Sequence, residues 1–237
     1  MDALQPYHEA IKSGNFQQPT PNQSSTILER ARTALEREVA SILVCGSDPP
    51  RRVWLRTSYE EEGSPSAINA LESLDAEDLE YITGEDDGGV LVLDDAARYE
   101  YADWSQVLYC LPEILDSMTC GPQSPDMRRE EVREAKENVE QELEFEEDEE
   151  ALEEIRESIQ QAWVTGFLWV QDEETAETGE VLLVWLDEFG RVVREKRVKS
   201  DKLTDWLGML VGGRDFDIEW WSTADVGEIY EGGAWPS

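Results

Sequence analysis

Apolar residues recur along this chain in two periods, helical and strand-like, and the two alternate. Ile27, Leu28, Ala31, Leu35, Val39 and Ile42 fall at helical spacing behind Thr26-x-x-Glu29, a capping-box pattern, and Gly46 follows as a stop. Val53-Trp54-Leu55 reads as a short strand ending near Thr57, and Ser66–Leu74 as a short amphipathic helix. The turn Gly84–Gly89 feeds Val90-Leu91-Val92-Leu93, a continuous apolar run of the kind found in strands buried on both faces. Helical spacing returns over Trp104–Met118, where Pro112 predicts a break or a second short helix.

Further along, Phe167–Val170 and Val181–Leu186 predict two strands joined by an acidic loop. Asp187–Gly190 predicts a hairpin turn, and Arg191–Val198 the return strand. Leu203, Trp206, Leu207 and Leu210 predict a helix capped by Ser200 or Asp201, stopped by Gly212-Gly213 and followed by an edge strand at Ile218–Trp221. Strands and helices alternating before a hairpin point to the α/β class, with α+β as the alternative: a single mixed sheet with helices packed on it. Residues 1–25 are rich in Gln, Pro, Asn and Ser without a period and read as a disordered tail, and 26–237 read as one domain. Within that domain, 121–162 reads as an acidic helical insertion. Its segment Glu130–Glu157 holds fifteen acidic and three basic residues, no Gly or Pro, and sparse apolar positions at Val132, Val139, Leu143, Leu152 and Ile155.

Charge narrows the function classes. Across 237 residues, 20 Lys+Arg oppose 55 Asp+Glu, a formal net charge of −35. Broad nucleic-acid binding needs Lys and Arg to neutralise phosphates, and anionic membranes attract basic clusters, so the composition argues against both. Glu130–Glu157 contributes −12, and the remainder is still acidic. With 40% apolar residues and nine Trp, the chain is nonetheless built to fold. The one histidine, His8, lies in the tail, which removes the usual imidazole for Ser-His-Asp, Cys-His and catalytic zinc chemistry. Cys45, Cys110 and Cys120 form no C-x-x-C pair and read as buried reduced thiols. No secretory signal pattern is present, and the longest apolar run, Val181–Leu186, falls far short of the ~20 residues of a membrane span. A soluble cytoplasmic protein is expected, with a nuclear one as the alternative.

Three stretches carry a resemblance. Leu55-Arg56-Thr57 is followed by Tyr59 and acidic residues. Leu91–Ala96 is followed by Tyr99 and a Leu-rich helix. Phe167–Val170 leads through Val181–Leu186 and Gly190-Arg191 to Asp215-Phe216-Asp217. In this order they resemble an uncharacterised family of microbial domains of unknown function, over roughly 50–225 without the acidic segment. The resemblance implies a small α/β domain with no established activity, and a shared fold would not transfer a function.

Candidate chemistry sits at strand ends. Asp94-Asp95, Asp172-Glu173-Glu174 and Asp187-Glu188 each follow an apolar run, where carboxylates either gather a divalent cation or cap helices and solvate turns. Glu85–Asp87 lacks EF-hand spacing, no phosphate-cradling glycine loop is present, and no metal or cofactor is assigned. Arg191–Lys199 with Lys202 concentrates positive charge. It reads either as an anion pocket shared with Arg56 or, preferably, as a strand whose basic side chains pair with acidic neighbours. Trp54, Trp169 and Trp185 are expected in the core, and one of Trp220 and Trp221 on the surface, as Trp235 is. The acidic insertion is a solvated spacer, a dock for a basic partner or a phosphate mimic. No catalytic residue is assigned and enzyme activity is left open. The expected function is a non-enzymatic interaction or regulatory module engaging a basic protein partner. The alternative is a small-ligand binder or enzyme using Arg56, Thr57, Asp94 and Asp95, with Arg191.

Overall fold

The computed structural model describes residues 31–45, 52–59, 90–100, 103–117, 163–199 and 221–228, with 133, 137, 156, 157, 160, 161 and 230. In chain order the described elements are α1 (Ala34–Cys45), β1 (Arg52–Arg56), β2 (Val90–Leu93), α2 (Ala96–Tyr99), two 3₁₀ segments (Trp104–Tyr109 and Pro112–Asp116), β3 (Gly166–Gln171), α3 (Glu173–Thr178), β4 (Glu180–Leu186), β5 (Val192–Lys199) and β6 (Asp225–Val226). They build one mixed six-stranded sheet in the order β2-β1-β3-β4-β5-β6. β1 runs parallel to both β2 and β3, and β3 through β6 continue as an antiparallel meander. This is the α/β architecture expected from the alternating pattern.

The apolar runs explain why the centre of the sheet is covered on both faces. β3 is buried at all six positions and β4 at six of seven. Alternate side chains therefore enter two different cores. One face is aromatic: Trp54, Phe167, Trp169, Trp185, Trp221 and Tyr230 pack there with Val181, Leu183 and Val193. Trp54 meets Trp169 across the β1–β3 boundary at 5.3 Å between ring centroids, and Trp185 meets Trp221 edge-on at 5.5 Å. Each buried indole removes about 200 Å² from water, worth roughly 5 kcal/mol before entropy is counted. The other face is aliphatic: Val53, Leu55, Leu93, Leu168, Val170, Leu182, Val184 and Leu186 lie under α1, α2 and the 3₁₀ segments.

Buried ion pairs hold those coverings to the aliphatic face. The Thr33 hydroxyl accepts from the Glu36 N–H at 3.1 Å, and Glu36 accepts from the Thr33 N–H at 2.6 Å, a capping box that opens α1. Glu36 has no exposed surface and accepts from Arg98 of α2 at 2.9 and 3.2 Å. Burial raises its pKa, but the Arg98 and Thr33 hydrogen bonds outweigh that and hold the carboxyl below its ordinary range. Arg32 reaches past α1 to Glu113 at 2.5 Å and donates to the Cys110 carbonyl at 2.7 Å. Cys110 is a free thiol.

Four details differ from the pattern-based expectation. The first helix is not continuous from Ile27: helical geometry lapses at Arg32 and Thr33, because Thr33-x-x-Glu36 supplies its own cap and Arg32 is drawn to Glu113. Pro112 does break the Trp104–Met118 stretch, but both described halves are 3₁₀. The acidic link between β3 and β4 is a helix, since Asp172 and Thr175 form a capping box and Gly179, at φ +72°, closes it in the left-handed region. Trp221 lies in a helical turn with its ring in the aromatic core, and the edge strand is Asp225–Val226 instead. Its carbonyl accepts from buried Arg194 at 2.5 Å, which fixes Trp221 away from a strand geometry.

Several expectations lie outside the described residues: the tail 1–25, the Thr26–Glu29 cap, the Ser66–Leu74 helix, the Gly84–Gly89 turn, Cys120, Trp220, Trp235 and the helix around Leu203–Leu210. Of the insertion 121–162, residues 133, 137, 156, 157, 160 and 161 are described and all are helical. No described helix is long and apolar enough to cross a membrane.

The start of β3 approaches the second 3₁₀ segment too closely for a side chain. A Cβ on Gly166 would lie 2.7 Å from the Ile114 carbonyl oxygen and 2.8 Å from Leu115 Cα, while the Phe167 N–H donates to Ser117 Oγ at 3.1 Å. Gly166→Ala must push two backbones apart, and urea denaturation is expected to show a loss of about 1–3 kcal/mol.

Candidate functional site

Strand order singles out one end of the sheet. The chain steps from β1 to β2 on one side and then returns past β1 to place β3 on the other. In open α/β sheets such a reversal opens a crevice beyond the carboxyl ends of the strands, where ligands commonly sit. Here those ends are Arg56-Thr57, Asp94-Asp95 and Gln171-Asp172.

Register brings the side chains together. Leu55 pairs with Leu93 and Arg56 with Gln171, so Arg56 and Asp94 emerge side by side from adjacent parallel strands. Their charged atoms lie 3.6 Å apart, beyond hydrogen-bonding distance, with both side chains mostly covered. Arg56 Nε donates to the Ser58 carbonyl at 3.0 Å, and its guanidinium stacks on the Tyr59 ring at 4.6 Å. The Tyr59 hydroxyl donates back to the Arg56 carbonyl at 3.0 Å. Burial, and then the Asp94 charge, push that phenol above its ordinary value, so it stays a neutral donor. Thr57 is buried, and its N–H extends the ladder to the Gln171 carbonyl at 2.9 Å.

Asp95 turns the other way. It is exposed, and its carboxylate accepts from the Ala97 N–H at 3.0 Å as the N-cap of α2. Beside β3, Asp172 caps α3 and is gripped by Arg197 of β5 at 3.0 and 2.6 Å, a two-point fork that Glu174 reinforces at 3.0 Å. Burial raises the Asp172 pKa, but hydrogen bonds from Arg197 and the Thr175 backbone, with the Arg197 charge, hold it below its ordinary value.

Of the residues read from the sequence, Arg56, Thr57, Asp94 and Asp95 therefore share one end of the sheet. Arg191 does not join them. It lies at the opposite end, in the β4–β5 turn, where Nε donates to Asp187 at 2.6 Å. Three more basic residues of this strand have partners: Arg194 with Glu157 at 3.5 Å and Gln160 at 2.7 Å, Arg197 with Asp172, and Lys196 with Thr223, while Lys199 is exposed. Basic side chains matched to acidic and polar neighbours are the preferred reading of that strand. Asp187 is separated from Asp94 and Asp172 in the same way, and no described group of three or more His, Cys, Asp or Glu converges as a metal cage would require.

Tyr59 and Gln171 were not singled out from the chain as site residues, and Asp172 was named only as a strand-end carboxylate, without Arg197 as its partner. Tyr59 follows the Arg56-Thr57 strand end by two residues and Gln171 is the first polar residue after an apolar run, which are the local signals available. Their convergence follows only from strand order.

The Asp172–Arg197 pair predicts a pH response. A depressed folded pKa gives stability that is present above the ordinary carboxylate value of 3.8 and lost as pH falls through the lower folded value. Arg197→Met removes that contribution. Urea denaturation should show the variant less stable than the native protein at neutral pH, with the gap narrowing as pH falls below the ordinary carboxylate value. Compared with family models, curated proteins and solved structures, the chain finds no match in any of the three, so fold and side-chain geometry carry the functional argument.

Proposed function

We propose that this protein is a non-enzymatic interaction module that engages a basic protein partner through an acidic surface. One observation carries the reading: among the described residues, exposed carboxylates far outnumber exposed basic side chains, because several arginines are held against carboxylates. Arg32, Arg98, Arg191, Arg194 and Arg197 are each tied to a carboxylate and mostly covered. Exposed acids are Glu38, Asp95, Glu100, Asp103, Asp116, Glu137, Glu173, Glu174, Glu177, Asp225 and Glu228, against exposed Arg37, Arg133, Arg156 and Lys199. Acidic composition thereby becomes acidic surface, which steers and holds cationic partners. The insertion supports the same reading by its composition, fifteen acidic against three basic residues over Glu130–Glu157, and its described residues Arg133 and Glu137 are exposed on a helix. Fluorescence anisotropy with a labelled oligo-lysine peptide should show binding at about 50 mM salt that is largely lost at about 500 mM. Glu173→Lys/Glu177→Lys on the exposed side of α3 should weaken it several-fold. No binding at low salt would sink the proposal.

Strand order favours a second reading, an oxyanion ligand at the crevice beyond β1 and β3. The Arg56–Asp94 contact of 3.6 Å is loose enough for an incoming anion to compete with the carboxylate. Isothermal titration with inorganic phosphate should then give heat that Arg56→Met abolishes, and no heat from the native protein rules the reading out.

A further inference from the structure

Four covered arginines meet a carboxylate at hydrogen-bonding distance: Arg32, Arg98, Arg191 and Arg197 reach Glu113, Glu36, Asp187 and Asp172 at 2.9 Å or less. Arg56 is different. Its side chain is 11% exposed and that of Asp94 20%, yet their charged atoms stop 3.6 Å apart. Among the described residues, the Arg56 side chain hydrogen-bonds through Nε alone, to the Ser58 carbonyl at 3.0 Å, and both terminal nitrogens are left without a bond. Taking two charges out of water is costly, and close geometry with further hydrogen bonds is what repays it. This pair has neither.

The surroundings hold the two groups in place without closing the gap. Leu55 pairs with Leu93, so the residues that follow them, Arg56 and Asp94, stand side by side at the carboxyl ends of parallel strands. On its other side Arg56 is in register with Gln171 of β3, which fixes its backbone from both neighbours. The guanidinium lies over the Tyr59 ring at 4.6 Å, and the Tyr59 hydroxyl donates to the Arg56 carbonyl at 3.0 Å. Burial and the Asp94 charge keep that phenol protonated, so it adds no negative charge to the cluster. The strand order reverses at this end of the sheet, the place where open α/β sheets receive ligands. A cation and an anion are thus set in advance at neighbouring strand ends, with hydrogen-bonding capacity unused.

A simple anion would satisfy Arg56 but be repelled by the Asp94 carboxylate beside it, and a simple cation would meet the reverse. A ligand carrying both charges satisfies both groups. Since the charges of Arg56 and Asp94 are adjacent, those of the ligand must be adjacent too, as the ammonium and carboxylate of an α-amino acid are. We infer that the crevice at the carboxyl end of β1 binds a free α-amino acid, with its carboxylate on the terminal nitrogens of Arg56 and its ammonium on Asp94. One loose ion pair is exchanged for two close, charge-assisted ones. The inference rests on the reading of this crevice as an anion site and names the class of ligand it takes.

Isothermal titration with L-alanine, propionate and ethylamine separates the two charges, since the first carries both and the others one each. The native protein should bind L-alanine about tenfold more tightly than either at the same pH and salt, and Arg56→Met should abolish that binding. Asp94→Asn removes a repulsion as well as an attraction. It should weaken L-alanine several-fold while strengthening inorganic phosphate, whereas a damaged fold would weaken both. If phosphate binds the native protein and L-alanine binds no better than propionate, the amino-acid assignment is wrong while the anion reading stands. If neither phosphate nor L-alanine gives heat, both fail together.

Discussion

Val53–Arg56 lies parallel to Leu168–Gln171, and every other strand takes its place from that pairing. A parallel neighbour on each side leaves β1 with no water-facing edge, which is why Val53, Trp54 and Leu55 are all fully buried. β3 is parallel to β1 and antiparallel to β4, so it joins the crossover half of the sheet to the meander. The Trp54–Trp169 contact lies across this boundary, and the same register delivers Arg56 beside Gln171 at the carboxyl end. Core packing and the placement of the strand-end cluster are consequences of one alignment.

Arginine is used here to secure coverings. Glu36–Arg98 and Arg32–Glu113 fasten α1 to α2 and to the second 3₁₀ segment, Asp172–Arg197 fastens α3 to β5, and Glu157–Arg194 fastens the helix at 156–161 to the aromatic face. Leaving a carboxylate such as Glu36 buried without its partner costs about 3–5 kcal/mol, so these pairs tolerate little exchange. Among the described residues, these inward pairs leave exposed carboxylates outnumbering exposed basic side chains. The two ends of the sheet then differ in character. One holds Arg56 and Asp94 in a loose pair, and the other holds Arg191 against the fully buried Asp187.

Much of the fold was legible along the chain. Phe167–Val170 and Val181–Leu186 announced their strands because unbroken apolar runs are stable when both faces are covered, and Asp187–Gly190 announced its turn through Asp and Gly. Val90–Leu93 forms its strand too, but at the sheet edge with only Leu93 fully buried, not covered on both faces as its run suggested. Capping was harder to place. Thr26-x-x-Glu29 and Thr33-x-x-Glu36 offer the same local signal, and the long-range pull of Glu113 on Arg32 decides where α1 begins. Trp221 was misread as a strand residue because two adjacent Trp residues suit a strand locally, whereas the Arg194–Trp221 carbonyl bond belongs to the tertiary structure.

By itself the sequence determined the α/β class, the unbroken apolar runs of the central strands, the acidity of the molecule and the chemistries that one tail histidine leaves out. These follow from composition and period, which are local quantities. Only the tertiary structure decided that Arg56 meets Asp94 while Arg191 lies at the far end, and that Arg194 and Arg197 of the basic strand are each held by a carboxylate. Strand order and register set those neighbours, and both come from contacts between segments that local pattern does not encode.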